Sequence, residues 1–254
     1  MNFINPYSYQ TLKLLKPENV PFDHIIIDNL FDDYKLTQVL NEYPDVSDKK
    51  WWVYNNQLER KYAFNKLEEL SQVYTDFFAE VNSEEFVSTL SKIFDLPKLS
   101  IDKDLLGGGL HQIMRGGKLD VHEDFNIHRG LGAFRRLNMI VYLNKNWNDE
   151  YGGHLELWSN DMQKLHKRVL PVFNRTVFFR TDMTSNHGHP NPLTCPENMS
   201  RKSLAVYYYE KTPLVETTEY RSTVYKKRPT DPDDPKLDEL REKRKLGRIE
   251  DKTT

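Results

Sequence analysis

The segment His122-Glu123-Asp124, with His187 and Arg201 far downstream, constrains this chain more than any other feature. Along an extended strand the side chains alternate with period two, so His122 and Asp124 project to the same side of the backbone. A second imidazole from a distant strand, His187, completes two histidines and one carboxylate. Such a set fills one face of an octahedron and leaves positions open on a non-haem Fe(II) for a co-substrate and dioxygen. Arg201 adds a fixed fork of donors, suited to gripping the far carboxylate of a dicarboxylic acid with two hydrogen bonds.

A H-x-D pair alone is a weak signal, and its surroundings carry the reading. His122 follows the turn Arg115-Gly116-Gly117-Lys118. Strand-like runs follow at 136–144, 154–158, 175–179 and 201–209, with His187 just past the third and Arg201 opening the fourth. Between the first two stand Trp147 and the turn Gly152-Gly153.

Over roughly residues 100–212 the order H-x-D, Y-L-N-K-x-W, G-G-x-L, distal His and R-x-S resembles the 2-oxoglutarate- and Fe(II)-dependent oxygenases, in their prolyl 4-hydroxylase-like branch. The resemblance implies a double-stranded β-helix, a cupin-like jelly roll of mainly β structure, with supporting N-terminal helices. It also implies that His122, Asp124 and His187 ligate iron and that Arg201 pairs with the distal carboxylate of 2-oxoglutarate, with Tyr142 and Ser203 as further contacts. Family members often carry a tyrosine ten residues before the first ligand; Gln112 stands there in this chain and is expected in the co-substrate pocket. The implied reaction consumes O2 and 2-oxoglutarate, releases succinate and CO2, and hydroxylates an unactivated C–H bond, with L-ascorbate as reductant of oxidised iron. Asp124 points to a hydroxylase, since halogenating relatives have a small residue in its place. A peptidyl proline is the leading substrate, with a free amino acid, a sugar or another small metabolite as the alternative.

Composition fits an enzyme outside the oxidising compartments. The net charge of −2 predicts no general attraction to nucleic acid or membrane, and the single Cys195 cannot form an internal disulfide. There is no charged-then-apolar leader pattern and no apolar run long enough to span a bilayer, so a cytoplasmic location is expected. Oligomeric state is not encoded in any pattern found.

Residues 1–99 read as an N-terminal strand and supporting helices of the same fold, 100–225 as the oxygenase core, and 226–254 as a charged tail. Pro21–Asp28 forms a strand, and Asp32 or Asp33 caps a helix through Tyr34, Leu36, Val39 and Leu40. Leu67, Leu70, Val73, Tyr74, Phe77, Phe78 and Val81 recur at helical spacing, and a further helix runs from Glu84 to Phe94 before Pro97. Beyond Lys226 the chain is too charged and too poor in apolar groups to offset its ordering entropy by burial, although Leu237 and Leu240 fit a short exposed helix. The run Tyr220–Tyr225 fits either a final strand or a loop over the active site.

Periodicity alone does not separate His187 from His189, which share a face of an extended segment; the family register favours His187 as ligand and leaves His189 in or near the pocket. His128 fits the substrate entrance or an exposed loop. A hydrolytic zinc site would leave Arg201, Tyr142 and Ser203 unexplained. A cupin-like iron-binding sensor without turnover is the non-enzymatic alternative, and the complete ligand set with its arginine argues against it. No nucleophile elbow, phosphate loop or dinucleotide fingerprint is present: Leu106-Gly107-Gly108-Gly109 lacks the required spacing.

Overall fold

The computed structural model describes residues 3–48, 50–211 and 219–247. The N-terminal part runs α1 (Pro6–Leu14), β1 (His24–Asp28), α2 (Asp33–Asn41), β2 (Trp52–Asn55), β3 (Glu59–Phe64), α3 (Gln72–Val81) and α4 (Glu84–Ile93). Then come β4 (Ser100–Ile101), β5 (Gly109–Met114), β6 (Lys118–Glu123), β7 (Ile127–His128), β8 (Ala133–Tyr142), β9 (Leu155–Trp158), β10 (Leu165–Val169), β11 (Arg175–Arg180), β12 (His187–His189) and β13 (Ser200–Glu210). The described chain closes with β14 (Val224–Tyr225) and α5 (Pro235–Lys245). No described helix is long and apolar enough to cross a membrane.

The strands pair antiparallel in one continuous path, β1-β11-β8-β13-β5-β3-β6-β12-β9-β10. This path curls on itself. Tyr142, Val177 and Phe179 from β8 and β11 pack with Leu155, Leu157 and Val169 from β9 and β10, so the two ends of the path face each other across an apolar interior. The result is the expected jelly roll with helices on one side.

Period-two alternation explains which residues face where. On β8, Leu137, Met139 and Val141 face the helices, while Asn138, Ile140 and Tyr142 face the interior. On β13, Leu204, Val206 and Tyr208 join the helical layer, and Arg201, Ser203, Ala205 and Tyr207 point the other way into a cavity. The helices meet the outer face of this layer with Leu36 and Val39, with Tyr74, Phe77, Phe78 and Val81, and with Phe86, Val87 and Leu90. Removal of each large apolar side chain from water contributes about 1.5–3 kcal/mol, so this layer is a main source of stability.

Two expectations need correction here. The helix foreseen from Leu67 begins at Gln72: Leu67–Glu69 is a separate 3-10 turn, and Leu70 is extended before the cap residue Ser71. The charged segment after 226 packs on the sheet. Tyr225 is buried in β14 on β6, and α5 contributes the buried Arg241 together with an Arg244–Glu59 ion pair. Composition misleads because charge pairing anchors this segment where apolar area does not. Residues 248–254 lie outside the described ones.

Candidate active site

β6 carries His122 and leads directly into Asp124, while β12 lies antiparallel beside it with His187 opposite His122. Close approach of the two strands requires Gly188, because a Cβ there would fall 2.8 Å from the Asp120 carbonyl oxygen. Each ring is held by a carbonyl two residues upstream: His122 Nδ1 lies 2.9 Å from Asp120 O, and His187 Nδ1 lies 2.9 Å from Ser185 O. Those contacts fix Nδ1 as the protonated nitrogen and turn both Nε2 lone pairs toward Asp124. His122 Nε2 is 3.5 Å from Asp124 Oδ1 and His187 Nε2 is 3.6 Å from Oδ2. All three ligand atoms lie within 4.8 Å of one another, a set that fits a single metal ion.

The carboxylate is itself held. Arg135 and Asn138 each donate to Asp124 Oδ2 at 2.9 Å. Burial alone would raise the Asp124 pKa, but the charge of Arg135, with His187 and His122, holds it well below the usual carboxylate range. Burial pushes His187 down to about 4 against the pull of Asp124. The site therefore presents an ionised carboxylate at Asp124 and an unprotonated imidazole nitrogen at His187, the forms that bind a metal.

Beside the triad opens a cavity of about 510 Å³. Arg201 reaches it from β13 and is buried from bulk solvent. Its Nε donates to Gly153 O at 2.8 Å, and a terminal nitrogen donates to the Tyr142 hydroxyl at 3.3 Å. Gly153 has φ +73°, and a Cβ there would fall 2.9 Å from Arg201 Cδ, so glycine serves both the turn and the docking of the guanidinium. Two nitrogens are thus occupied and the remaining donors are left to a ligand. Ser203 lines the same wall, whereas Tyr142 is buried beside Arg201 and outside the wall, acting through the guanidinium.

Gln112 sits elsewhere. On β5, His111 and Ile113 line the cavity, so the intervening Gln112 points to the opposite face and donates to Ser200 Oγ at 2.9 Å. The expectation of Gln112 in the co-substrate pocket fails on strand parity. His128 is neither exposed nor in the cavity: its Nε2 lies 3.1 Å from Asp102 Oδ2. His154 pairs with Asp149 at 2.8 Å outside the cavity.

Sequence reasoning missed several cavity residues. The β2–β3 hairpin contributes Tyr54, Glu59 and Lys61, and the C-terminal segment contributes Tyr220, Tyr225 and Arg244. Burial would lower the Lys61 pKa, but Glu59, 3.1 Å away, together with Tyr54 and Tyr207 raises it to about 12. Tyr225 stands against His122, with ring centroids 5.6 Å apart. The alternation of 59–63 was a usable signal for the hairpin; nothing local announced its place in the cavity.

Comparison with known proteins agrees with this geometry. The family model of the 2OG-Fe(II) oxygenase superfamily matches residues 108–209, which include all three triad residues and Arg201. The mouse prolyl 3-hydroxylase OGFOD1 is 22% identical over 209 residues; the match covers 80% of this chain, which spans only 35% of that relative's length. A prolyl hydroxylase from Trichoplax adhaerens, solved in complex with a hypoxia inducible factor oxygen degradation domain peptide fragment, superposes with a TM-score of 0.61 at 18% identity, covering 82% of this chain and 94% of that one. A Pseudomonas putida prolyl-4-hydroxylase gives a TM-score of 0.53 at 14% identity, covering 75% of this chain and 93% of that one. With the triad, the arginine and the jelly roll in the expected register, residues 108–209 match the 2OG-Fe(II) oxygenase superfamily, and the chain is similar in fold to prolyl hydroxylases.

Proposed function

We propose that the protein hydroxylates a prolyl residue of a peptide or protein in an Fe(II)- and 2-oxoglutarate-dependent reaction. The observation that carries this reading is that His122, Asp124, His187 and Arg201 line one cavity, with the three ligand atoms converging and the guanidinium donors free to one side. Support for proline comes from the similarity to OGFOD1 and to the two prolyl hydroxylase structures.

Fe(II) with 2-oxoglutarate and dioxygen supplies the chemistry: one oxygen atom enters a C–H bond, and the other leaves in succinate as CO2 is released. This chain's residues bind and orient. His122, Asp124 and His187 would hold the metal on one face. Arg201, oriented by Tyr142 and Gly153 and flanked by Ser203, would hold the distal carboxylate of the co-substrate. Phe125, Ile127 and Leu155 line the same cavity with apolar surface and keep water from the reacting centre.

The test is succinate release by purified protein with Fe(II), 2-oxoglutarate and ascorbate against panels of proline-containing peptides and free metabolites. Mass gain of one oxygen on a peptidyl proline is the expected product. Turnover confined to free amino acids or sugars would replace the prolyl reading while leaving the reaction class intact.

A further inference from the structure

His189 is the unexplained residue of this cavity. Its imidazole is 3% exposed and lines the cavity wall, yet neither ring nitrogen has a hydrogen-bond partner. The other cavity histidines differ: His122 and His187 are tied back to carbonyls through Nδ1, and His111 Nε2 lies 3.1 Å from Gly107 O. A buried imidazole carries one donor and one acceptor, and leaving both unmatched is costly unless a ligand arrives to use them.

Its place in the ladder says which ligand. β12 runs antiparallel to β9 with His187 opposite Leu157 and Gly188 opposite Glu156. From Glu156 the chain leads back through Leu155, which lines the same cavity as His189, to Gly153, whose carbonyl holds Arg201. His189 therefore lines one cavity with His187 and Arg201. Arg201, Lys61 and His122 line the same cavity as this ring. A dicarboxylate held at His122, Asp124 and His187 by one end and at Arg201 by the other would occupy the cavity that this imidazole lines.

We propose that His189 donates a hydrogen bond to an oxygen of 2-oxoglutarate, a co-substrate contact added to the arginine clamp. This rests on the oxygenase reading above. The neutral ring gives its N–H to the co-substrate, which offers only acceptors, and keeps the second nitrogen as an acceptor within the cavity.

Binding of 2-oxoglutarate to the Mn(II)-loaded protein, followed by calorimetry without substrate, tests the contact. His189→Leu should weaken co-substrate binding by about tenfold or more, as expected for a lost hydrogen bond to a charged acceptor, with Mn(II) affinity kept within about twofold. An unchanged co-substrate Kd in that variant overturns the proposal, and so does weaker binding of a proline-containing peptide alone, which would reassign His189 to the substrate. If His189→Leu fails to fold, the unaltered Zn(II)-loaded protein with 15N-labelled histidine gives the answer. Adding 2-oxoglutarate should move a ring resonance beyond those of His122 and His187, and its absence overturns the contact. Wild-type protein that binds metal but no 2-oxoglutarate would instead overturn the oxygenase reading itself.

Discussion

Arg135 places its guanidinium 2.9 Å from Asp124 Oδ2 while its Nε donates to Asn138, which donates in turn to the same carboxylate oxygen. The guanidinium also stacks on Tyr207, 3.3 Å from the ring centroid. Asp124 is thereby fixed in rotamer and in charge before any metal arrives. Loss of a group that orients a metal ligand typically costs 10–100-fold in affinity, and Arg135→Met should weaken Fe(II) or Mn(II) binding by about that factor. Metal titration of the folded variant is the measurement, and affinity equal to wild type would show that Asp124 is held well enough by Asn138.

The triad itself gives an all-or-none expectation. His122→Ala, Asp124→Ala and His187→Ala each remove one of three protein ligands, and each should abolish metal-dependent succinate formation. His189→Ala should retain metal. Retention of metal by His187→Ala together with its loss in His189→Ala would move the ligand by two residues.

Arg201→Ala leaves the metal ligands untouched and deletes the buried cation of the carboxylate clamp. Truncating one partner of such a pair costs about 2–5 kcal/mol. The apparent 2-oxoglutarate requirement should therefore rise by well over tenfold, with metal affinity nearly constant. An unaltered requirement, measured by co-substrate titration, removes Arg201 from the clamp.

How much of this site was legible depended on whether a residue's role is local or is made by a distant strand. His122 and Asp124 were readable because period two fixes their shared side, and Arg201 with Ser203 because both lie on one strand face. Gln112 was misplaced by counting back from the ligand across the Gly116-Gly117 turn, where the count does not preserve strand parity. Arg135 and Tyr225 escape a local reading because their partners Asp124 and His122 are brought to them only by tertiary pairing, and Lys61, although two residues from Glu59 on one strand, because nothing local places that strand at the cavity. The C-terminal segment was misjudged for a related reason: apolar content measures one kind of burial, and Arg241 and Arg244 are anchored by carboxylates.

Glu59 links that segment to pH. Burial would raise its pKa, yet Lys61 and Arg244 lower it below the ordinary value of 4.5. A depressed carboxylate contributes stability that is present above the unfolded value and lost as pH falls through the folded one. Glu59→Gln should flatten the acid side of the stability profile below about pH 4.5. Above it the variant should be less stable by about 3 kcal/mol, because Lys61 loses its buried partner. Denaturant unfolding across this pH range reads both effects, and a parallel shift at every pH would exclude the linkage.

Removing residues from 224 onward should lower the melting temperature by several degrees, roughly the effect of losing 2–3 kcal/mol in a domain of this size. Tyr225 would leave its buried place, and Glu123 would lose its strand pairing with Val224 and the Lys226 ammonium 2.6 Å away. A truncated protein that melts like the full chain would restore the picture of a solvated tail.

Tyr225 rests on His122, a proposed metal ligand, and that contact would bind two equilibria together. If docking of β14 steadies His122 and so favours metal binding, metal binding must favour docking by the same factor, since coupling free energy is reciprocal. The C-terminal segment is then a gauge of occupancy: its protection from proteolysis rises and falls with the metal, and any macromolecule that pulls it away from β6 acts on the iron without touching it.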